Sequence, residues 1–235
     1  MLARAIIMLI IVVISSAAGH AGAQPLAPAN WNNDCQTPWG AIVEAGQSVT
    51  AYQAEGCPGA CVSEVRTCAG NALSGSYTVE TCPSIGADCG DGTVYAGPSG
   101  GNDIFAAHCD EGKTWNGSNC TGTASSLQWM TTNGTGSGFA STSDGVANTN
   151  TMASNGISNF PAGQACRSHG ANWYLPALDE LSLLCANKAE IGGFSGSHWS
   201  STANAGMSAA IQVLGNCGTG GTNKTTPNIV RCVHR

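Results

Sequence analysis

The chain has 235 residues and a formal net charge of −6, and only 9% of its residues are Asp, Glu, Lys or Arg. Beyond the N-terminal segment the few basic residues are scattered from Arg66 to Arg235, whereas phosphate binding needs clustered Lys and Arg, so nucleic acid is not an expected partner. An anionic membrane surface is disfavoured for the same reason. The 32 glycines, with many Ser, Thr and Asn, predict more turns than regular elements.

Residues 1–23 have the pattern of a cleaved signal peptide. Arg4 supplies the positive start, residues 5–14 are apolar, and Ala21-Gly22-Ala23 offers a cleavage site before Gln24. The apolar stretch is shorter than the roughly 20 residues that span a bilayer, which disfavours a transmembrane anchor. We therefore expect an exported protein that is secreted, on the cell surface or in the periplasm, without membrane insertion after cleavage.

The cysteines predict a disulfide framework, because all 12 follow the signal peptide and an even number in an oxidising compartment indicates pairing. The set expected to be paired is Cys35, Cys57, Cys61, Cys68, Cys82, Cys89, Cys109, Cys120, Cys166, Cys185, Cys217 and Cys232. Cys109 and Cys120 are expected to join each other, because only ten residues separate them across a Gly- and Asn-rich loop. Cys217 has Cys185 and Cys232 as alternative partners.

A short linker, residues 24–33, precedes a small cysteine-rich module at 34–85. Residues 48–52 and 62–67 alternate with period two, which predicts a β-rich unit. A zinc site at Cys57-x3-Cys61-x6-Cys68 is the alternative interpretation, but the module contains no histidine and the compartment oxidises thiols. Disulfides are therefore expected, and neither a metal nor a cofactor is. Cys89, at the boundary, could pair with either side.

The second module spans 86–235 and is predicted to be α+β. Residues 91–97 indicate a turn and a strand, and 134–159 indicate long surface loops. Two helices are predicted, at about 162–169 and 177–188, the second from Leu178, Leu181 and Leu184 at helical spacing. Short strands are then expected at 198–202, 209–214 and 229–234. Helices beside short antiparallel strands are typical of α+β domains.

Several motifs of this module resemble the Lcl C-terminal domain family. They are Trp173-Tyr-Leu-Pro176, Asp179-Glu-Leu181, Asn187, Ile191-Gly-Gly-Phe194, Trp199-Ser-Ser-Thr202 and Val230-Arg-Cys-Val-His-Arg235. The resemblance implies a C-type-lectin-like fold, related in pattern to formylglycine-generating-enzyme-like folds, on a bacterial surface protein that binds a ligand. The preceding module resembles a short cysteine-rich unit of bacterial surface proteins. The chain departs from the family after Thr202, where relatives often carry a Tyr and a Trp.

Acidic and histidine residues of the second module have structural and catalytic interpretations. Trp173, Leu175 and Trp199 are expected in the core. First-turn acids Asp179 and Glu180 suit a helix N-terminus, and Arg231 is expected to pair with one of them. The histidines, which are dispersed along the chain, are His108, His169, His198 and His234. None has the i, i+4 spacing of a metal motif, and no hydrolase motif is present.

Calcium is a further alternative, because many C-type lectins use it. Asp103, Asp110 and Glu111 are the clustered loop acids, but the tripeptides typical of sugar-binding lectins are absent. We therefore expect a calcium-independent site.

The sequence predicts a non-enzymatic binding or adhesion protein whose partner is a glycan or a protein. The alternatives are a structural part of a surface appendage or envelope and an enzyme of the formylglycine-generating-enzyme-like fold. Recognition is expected on the loops that the scaffold does not need, 203–209 and 215–228. The expected ligand-binding residues are Asn216, Thr219, Thr222, Asn223, Lys224 and Thr225.

Overall fold

The computed structural model describes residues 33–53, 57, 62–135, 138–204 and 206–235. The predicted signal peptide, the linker up to residue 32 and Cys61 lie outside these ranges. No helix among the described residues is long and apolar enough to span a membrane.

The described residues of the first unit form five strands, which confirms the β-rich prediction. The strands are β1 Cys35–Gln36, β2 Ile42–Val43, β3 Ser48–Tyr52, β4 Ser63–Ala69 and β5 Ala72–Leu73. β1 pairs with β2, and β3, β4 and β5 form an antiparallel sheet in that order. Its core is small, comprising Cys35, Val43 and Cys68, and the Cys35–Cys68 disulfide lies inside it. A cross-link is expected to matter most in so small a core.

The second unit begins with two strands of a three-stranded sheet, and the third strand comes from the C-terminal end of the chain. β6 Thr93–Ser99 and β7 Asn102–Ala107 form a hairpin, and β15 Val233–His234 pairs with the other side of β7. Between them in sequence, β8 Thr114–Trp115 and β9 Cys120–Thr121 form a small hairpin. The loop that carries this hairpin is closed by the Cys109–Cys120 disulfide, as expected.

Four α-helices and one 3₁₀ turn occupy the middle of this unit. They are α1 Gly145–Ser154, the 3₁₀ turn Ile157–Asn159, α2 Pro161–Ser168, α3 Leu178–Ala186 and α4 Lys188–Ile191. Both predicted helices are present as α2 and α3. The predicted single helix to residue 188 ends at Ala186, and α4 follows as a separate turn.

The largest sheet has five strands in the order β10-β14-β11-β12-β13. Their bounds are β10 Ser126–Leu127, β11 Ser197–Ala203, β12 Ser208–Val213, β13 Gly218–Asn223 and β14 Asn228–Ile229. β11 and β14 are parallel and the other neighbours are antiparallel. One hydrophobic core joins this sheet to α1 and α2 around Trp129, Phe139 and Trp199, and a second joins α3 to β6 and β7 around Leu181 and Ile104.

Trp199 and Leu175 are fully buried, which confirms the core prediction, while Trp173 is only half-buried. Every cysteine among the described residues is disulfide-bonded. The pairs include Cys57–Cys89, Cys166–Cys232 and Cys185–Cys217. Disulfides at Cys57 and Cys68 exclude the zinc alternative, since both thiols are oxidised. Cys217 pairs with Cys185, and Cys89 pairs back across the predicted boundary.

Three secondary-structure predictions are wrong. Residues 134–159 are not only loops, because α1 lies within them. Residues 215–228 are not one loop, because β13 adds a strand at the sheet edge. Residues 229–234 are not one strand: β14 belongs to the large sheet, β15 to the three-stranded sheet, and the chain passes from one sheet to the other between them.

Candidate functional site

A buried charged cluster around Asp110 connects the loop 109–120 to β11 and to the segment between β14 and β15. Asp110 is fully buried, and its Oδ1 accepts hydrogen bonds from His198 Nε2 at 2.8 Å and from Arg231 Nε at 2.9 Å. Its Oδ2 accepts one from Lys113 Nζ at 3.3 Å. Desolvation acts to raise the pKa of Asp110, but the hydrogen bond from His198 and the charge of Arg231 outweigh it and hold the pKa below its ordinary value. The carboxylate therefore stays ionised.

Arg231 fixes the surrounding backbone. It donates to the carbonyl oxygens of Ala107 and His108, both at 3.0 Å, and its guanidinium lies 4.0 Å from the ring centroid of Phe194. Gly193, with φ at +75°, packs against this cluster: a Cβ there would lie 2.9 Å from the His108 carbonyl oxygen. Glycine is therefore required at this close approach.

The expectation that Arg231 pairs with Asp179 or Glu180 is wrong. Glu180 Oε2 accepts hydrogen bonds from the backbone N–H groups of Ala177 at 2.7 Å and Gly145 at 3.2 Å, so it caps α3 and also serves the start of α1. Burial raises the pKa of Glu180. Asp179 is exposed. The capping interpretation is thus confirmed for Glu180. Arg231 pairs instead with Asp110.

One wall of the site is the disulfide-closed loop 109–120. Trp115 is half-buried and stacks on the imidazole of His108 with ring centroids 4.1 Å apart and planes 3° from parallel. His108 Nε2 lies 3.1 Å from Asp88 Oδ1, which fixes the ring from its other side. The indole is therefore held in one orientation by stacking and by the loop that its two cysteines close.

A second group of aromatic rings around Trp173 forms another wall of the site. His169 lies 5.0 Å from Trp173, Trp173 lies 4.9 Å from His234, and His234 stacks on Phe105 at 5.2 Å. His169 Nε2 also lies 2.6 Å from Glu111 Oε1, and this hydrogen bond raises the pKa of His169. Desolvation lowers the pKa of His234.

Three adjoining depressions connect these walls, with volumes of about 450, 170 and 390 Å³. The first two share Lys113 and Trp115, and the second and third share His169. We call this continuous band the aromatic groove and define it by Lys113, Trp115, His169, Trp173 and His234. Residues 118–120, 170–172 and 190–194 contribute further to its lining.

The geometry does not build a metal site from the described residues. Glu111, His169 and Cys232 bring three potential ligand atoms within 4.8 Å of one another. Cys232, however, is bonded to Cys166, so it offers no thiolate and the set reduces to two ligands. The acids considered for calcium also have other partners, because Asp103 accepts the Tyr95 hydroxyl hydrogen bond and Asp110 accepts hydrogen bonds from His198, Arg231 and Lys113.

The structure places the predicted ligand-binding residues before, on and after β13, and none of them lines the aromatic groove. Asn216, Thr219 and Asn223 are exposed, and Thr222 and Thr225 are half-buried. Lys224 contradicts the expectation of a surface residue, because it is fully buried. Its Nζ donates to the carbonyl oxygens of Gly134 and Gly206, both at 3.1 Å, and lies 5.0 Å from the Trp129 ring centroid. These contacts give it a structural role.

Sequence reasoning missed the aromatic groove because its residues are far apart in the chain. The four dispersed histidines are not isolated: His108 contacts Trp115, His169 and His234 flank Trp173, and His198 binds Asp110. One signal could have indicated the first wall, namely a single Trp inside a short loop that two cysteines close. The second wall offers no comparable local signal.

The groove is suited to binding by stacking and hydrogen bonding. The His198–Asp110 pair has the composition of a base with its orienting acid, but both side chains are fully buried and His198 Nδ1 has no hydrogen-bond partner among the described residues. A substrate would have to reach that nitrogen for the pair to act as a general base. The pair links β11 to the loop 109–120.

A comparison with protein-family models finds none that matches the chain, and a comparison with curated proteins finds no relative. The resemblance to the Lcl C-terminal domain family therefore rests on the motif residues alone.

Proposed function

We propose that this protein is an exported binding protein, secreted or held at the cell surface or in the periplasm, that recognises a glycan through the aromatic groove. The observation that carries the proposal is a pair of half-buried indoles, Trp115 and Trp173, that line adjoining depressions of the aromatic groove. Indole faces cover the apolar faces of sugar rings, while neighbouring polar groups fix their hydroxyl groups. A protein ligand is the second partner class for the same groove.

The rigidity of the groove supports this proposal. The Cys109–Cys120 disulfide closes one wall, and the Cys166–Cys232 disulfide ties α2, which precedes the other wall, to the segment between β14 and β15. The buried Asp110 cluster joins the two. Walls that are already ordered lose little conformational freedom when a ligand binds, which favours affinity.

We assign the second unit to a C-type-lectin-like domain of the Lcl C-terminal type as part of this proposal. Two motif segments that carry the resemblance lie side by side, because Tyr174 and Val233 exchange backbone hydrogen bonds of 2.9 and 3.1 Å. A third motif contributes the buried Trp199. The motifs thus belong to one scaffold, as a shared domain requires.

The experiment is a glycan array probed with the oxidised protein, followed by titration of a retained glycan against Trp115→Ala and Trp173→Ala. Each change should weaken binding at least about tenfold, since central aromatic residues dominate such interfaces. Trp39→Ala is the matched control, because Trp39 is half-buried in the first unit. Retention of no glycan would reject the glycan proposal, and equal loss in all three variants would reject the groove.

The same titration tests the ligand-binding surface that the sequence predicts around β13. Asn223→Ala combined with Thr225→Ala should leave affinity unchanged if the groove binds the glycan. Lost affinity at an unchanged melting temperature would place recognition there instead.

A structural role in a surface appendage or envelope is the second candidate, favoured by the exposed β13 strand at the edge of the large sheet. Co-purification of the protein with filaments, without retention on any glycan, would support it over the binding role.

A further inference from the structure

β13 leaves one line of backbone hydrogen-bonding groups facing outward. Lys224 N donates to Met207 O at 3.0 Å, which continues the regular β12–β13 register. Hydrogen-bonded and non-hydrogen-bonded pairs alternate along an antiparallel ladder, so residues 218, 220 and 222 bond to β12. The N–H and C=O groups of Thr219 and Gly221 and the N–H group of Asn223 therefore point away from β12. They have no hydrogen-bond partner among the described residues.

This edge lacks the features that usually prevent strand pairing. Between Gly218 and Asn223 there is no proline and no charged side chain, and the register with β12 shows no bulge. Natural sheets usually protect an open edge with at least one of these features or with a covering segment. β13 is also longer than β10, the two-residue strand at the other edge of the sheet. The open groups of β13 are thus available to another strand.

The sequence of β13 is complementary to a second copy of itself. In an antiparallel pair centred on Gly221, Gly221 faces Gly221 and Thr219 faces Asn223, so small side chains that form hydrogen bonds meet and no like charges do. The chain has a net charge of −6, yet residues 191–235 contain no Asp or Glu. Neither β13 nor its neighbour β12 therefore brings an acidic side chain to this edge.

We propose that β13 pairs with β13 of a second copy of this chain in a two-fold antiparallel arrangement, which joins the two five-stranded sheets into one. The contact uses the same patch on both copies, so it closes as a dimer and does not propagate into a filament. Six residues on each side make a small interface, and association is expected in the micromolar range. The aromatic groove is formed by other segments, so this dimer does not depend on the proposed function.

The first test is sedimentation of the oxidised protein over the micromolar range, with Thr219→Pro as the variant. Proline removes the outward N–H group of Thr219, which in this register donates to the second lone pair of the Asn223 carbonyl oxygen beside the bond from Thr226 N, and it leaves the bonds to β12 in place. Two-fold symmetry removes the bond twice, so the dimer should weaken about 10–100-fold at an unchanged melting temperature. A monomeric wild-type protein, or a variant as dimeric as the wild type, would overturn the proposal.

A charge exchange tests the register independently of folding. One variant carries Thr219→Lys with Asn223→Lys and the other carries Thr219→Asp with Asn223→Asp, so each alone places like charges opposite each other. Each should be monomeric, and an equimolar mixture should form a heterodimer. A mixture that stays monomeric contradicts the pairing, and wild-type protein that grows into concentration-dependent polymers contradicts the closed dimer.

Discussion

Asp110 is the residue on which the most buried charges converge. Removing its charge leaves Arg231 buried without a counter-ion, and breaking such a pair destabilises proteins by about 3–5 kcal/mol. We therefore expect Asp110→Asn to lower the free energy of unfolding by that amount in urea titrations. Asp144→Asn is the control, because the Asp144–Arg235 pair is exposed and should contribute about 0–1 kcal/mol. Equal small losses would contradict the structural role of the cluster.

The depressed pKa of Asp110 predicts that the stability of the protein falls in acid. Because the folded pKa of Asp110 is depressed, its contribution to stability is present above its ordinary pKa and is lost as pH falls through the folded value. The wild-type protein should therefore lose more stability than Asp110→Asn between pH about 5 and the acid limit. Parallel stability curves for the two proteins would contradict this expectation.

The pKa values of the two groove histidines are expected to be shifted in opposite directions. The hydrogen bond to Glu111 raises the pKa of His169, whereas desolvation lowers the pKa of His234. Proton NMR of the imidazole groups should show His169 titrating above its ordinary value and His234 below it. Glu111→Gln should return His169 towards its ordinary pKa and leave His234 unchanged.

The His169–Glu111 pair also has a defined sign in its effect on stability. A raised folded pKa means that the contribution is present below the ordinary pKa of histidine and is lost as pH rises through the folded value. His169 is 39% exposed, so solvent screening keeps this contribution small. Equal pKa values for the two histidines would contradict at least one of these two predicted shifts.

Among the larger elements, removing the Cys109–Cys120 disulfide should distinguish an effect on stability from an effect on binding. In the loop-entropy account, replacing both cysteines by serine should cost about 3 kcal/mol, and the same change at Cys185–Cys217 about 4 kcal/mol. Only the first pair lies at the aromatic groove. Affinity for an array-selected glycan should therefore fall only in Cys109→Ser/Cys120→Ser. Loss of affinity only in Cys185→Ser/Cys217→Ser would favour the surface near β13.

Elements with a local signal could be predicted from the sequence, and the others depend on distant contacts. Regularly spaced leucines predict α3, but α1 is polar and forms around Asn148, whose side chain is buried and bonds to Ser141 and Ser201. β13 is half glycine, which has low strand propensity, and pairing with β12 overrides that preference. The Asp110–Arg231 contact spans 121 residues, so no local pattern could indicate it.

For the whole molecule, both large cores lie within residues 94–233. Residues 86–235 should therefore fold alone, provided that Cys89→Ser removes the thiol left unpaired by loss of Cys57. Gly86 N donates to Tyr95 O at 2.8 Å, so the fragment has to include residue 86. Cooperative urea unfolding with native near-ultraviolet circular dichroism is the expected result. A fragment without cooperative unfolding would mean that the first unit contributes to the core.

The crossing of residues 228–234 between the two sheets has a consequence for biogenesis. β14 lies between β10 and β11, and β15 pairs with β7, so each sheet lacks a strand until this late segment is present. Contacts of such long sequence separation form slowly. In the exported protein that we propose, both sheets therefore stay incomplete until residues 228–234 have passed the translocation channel. Such a delay would suit transport in an extended state, and Cys166 cannot pair with Cys232 until then.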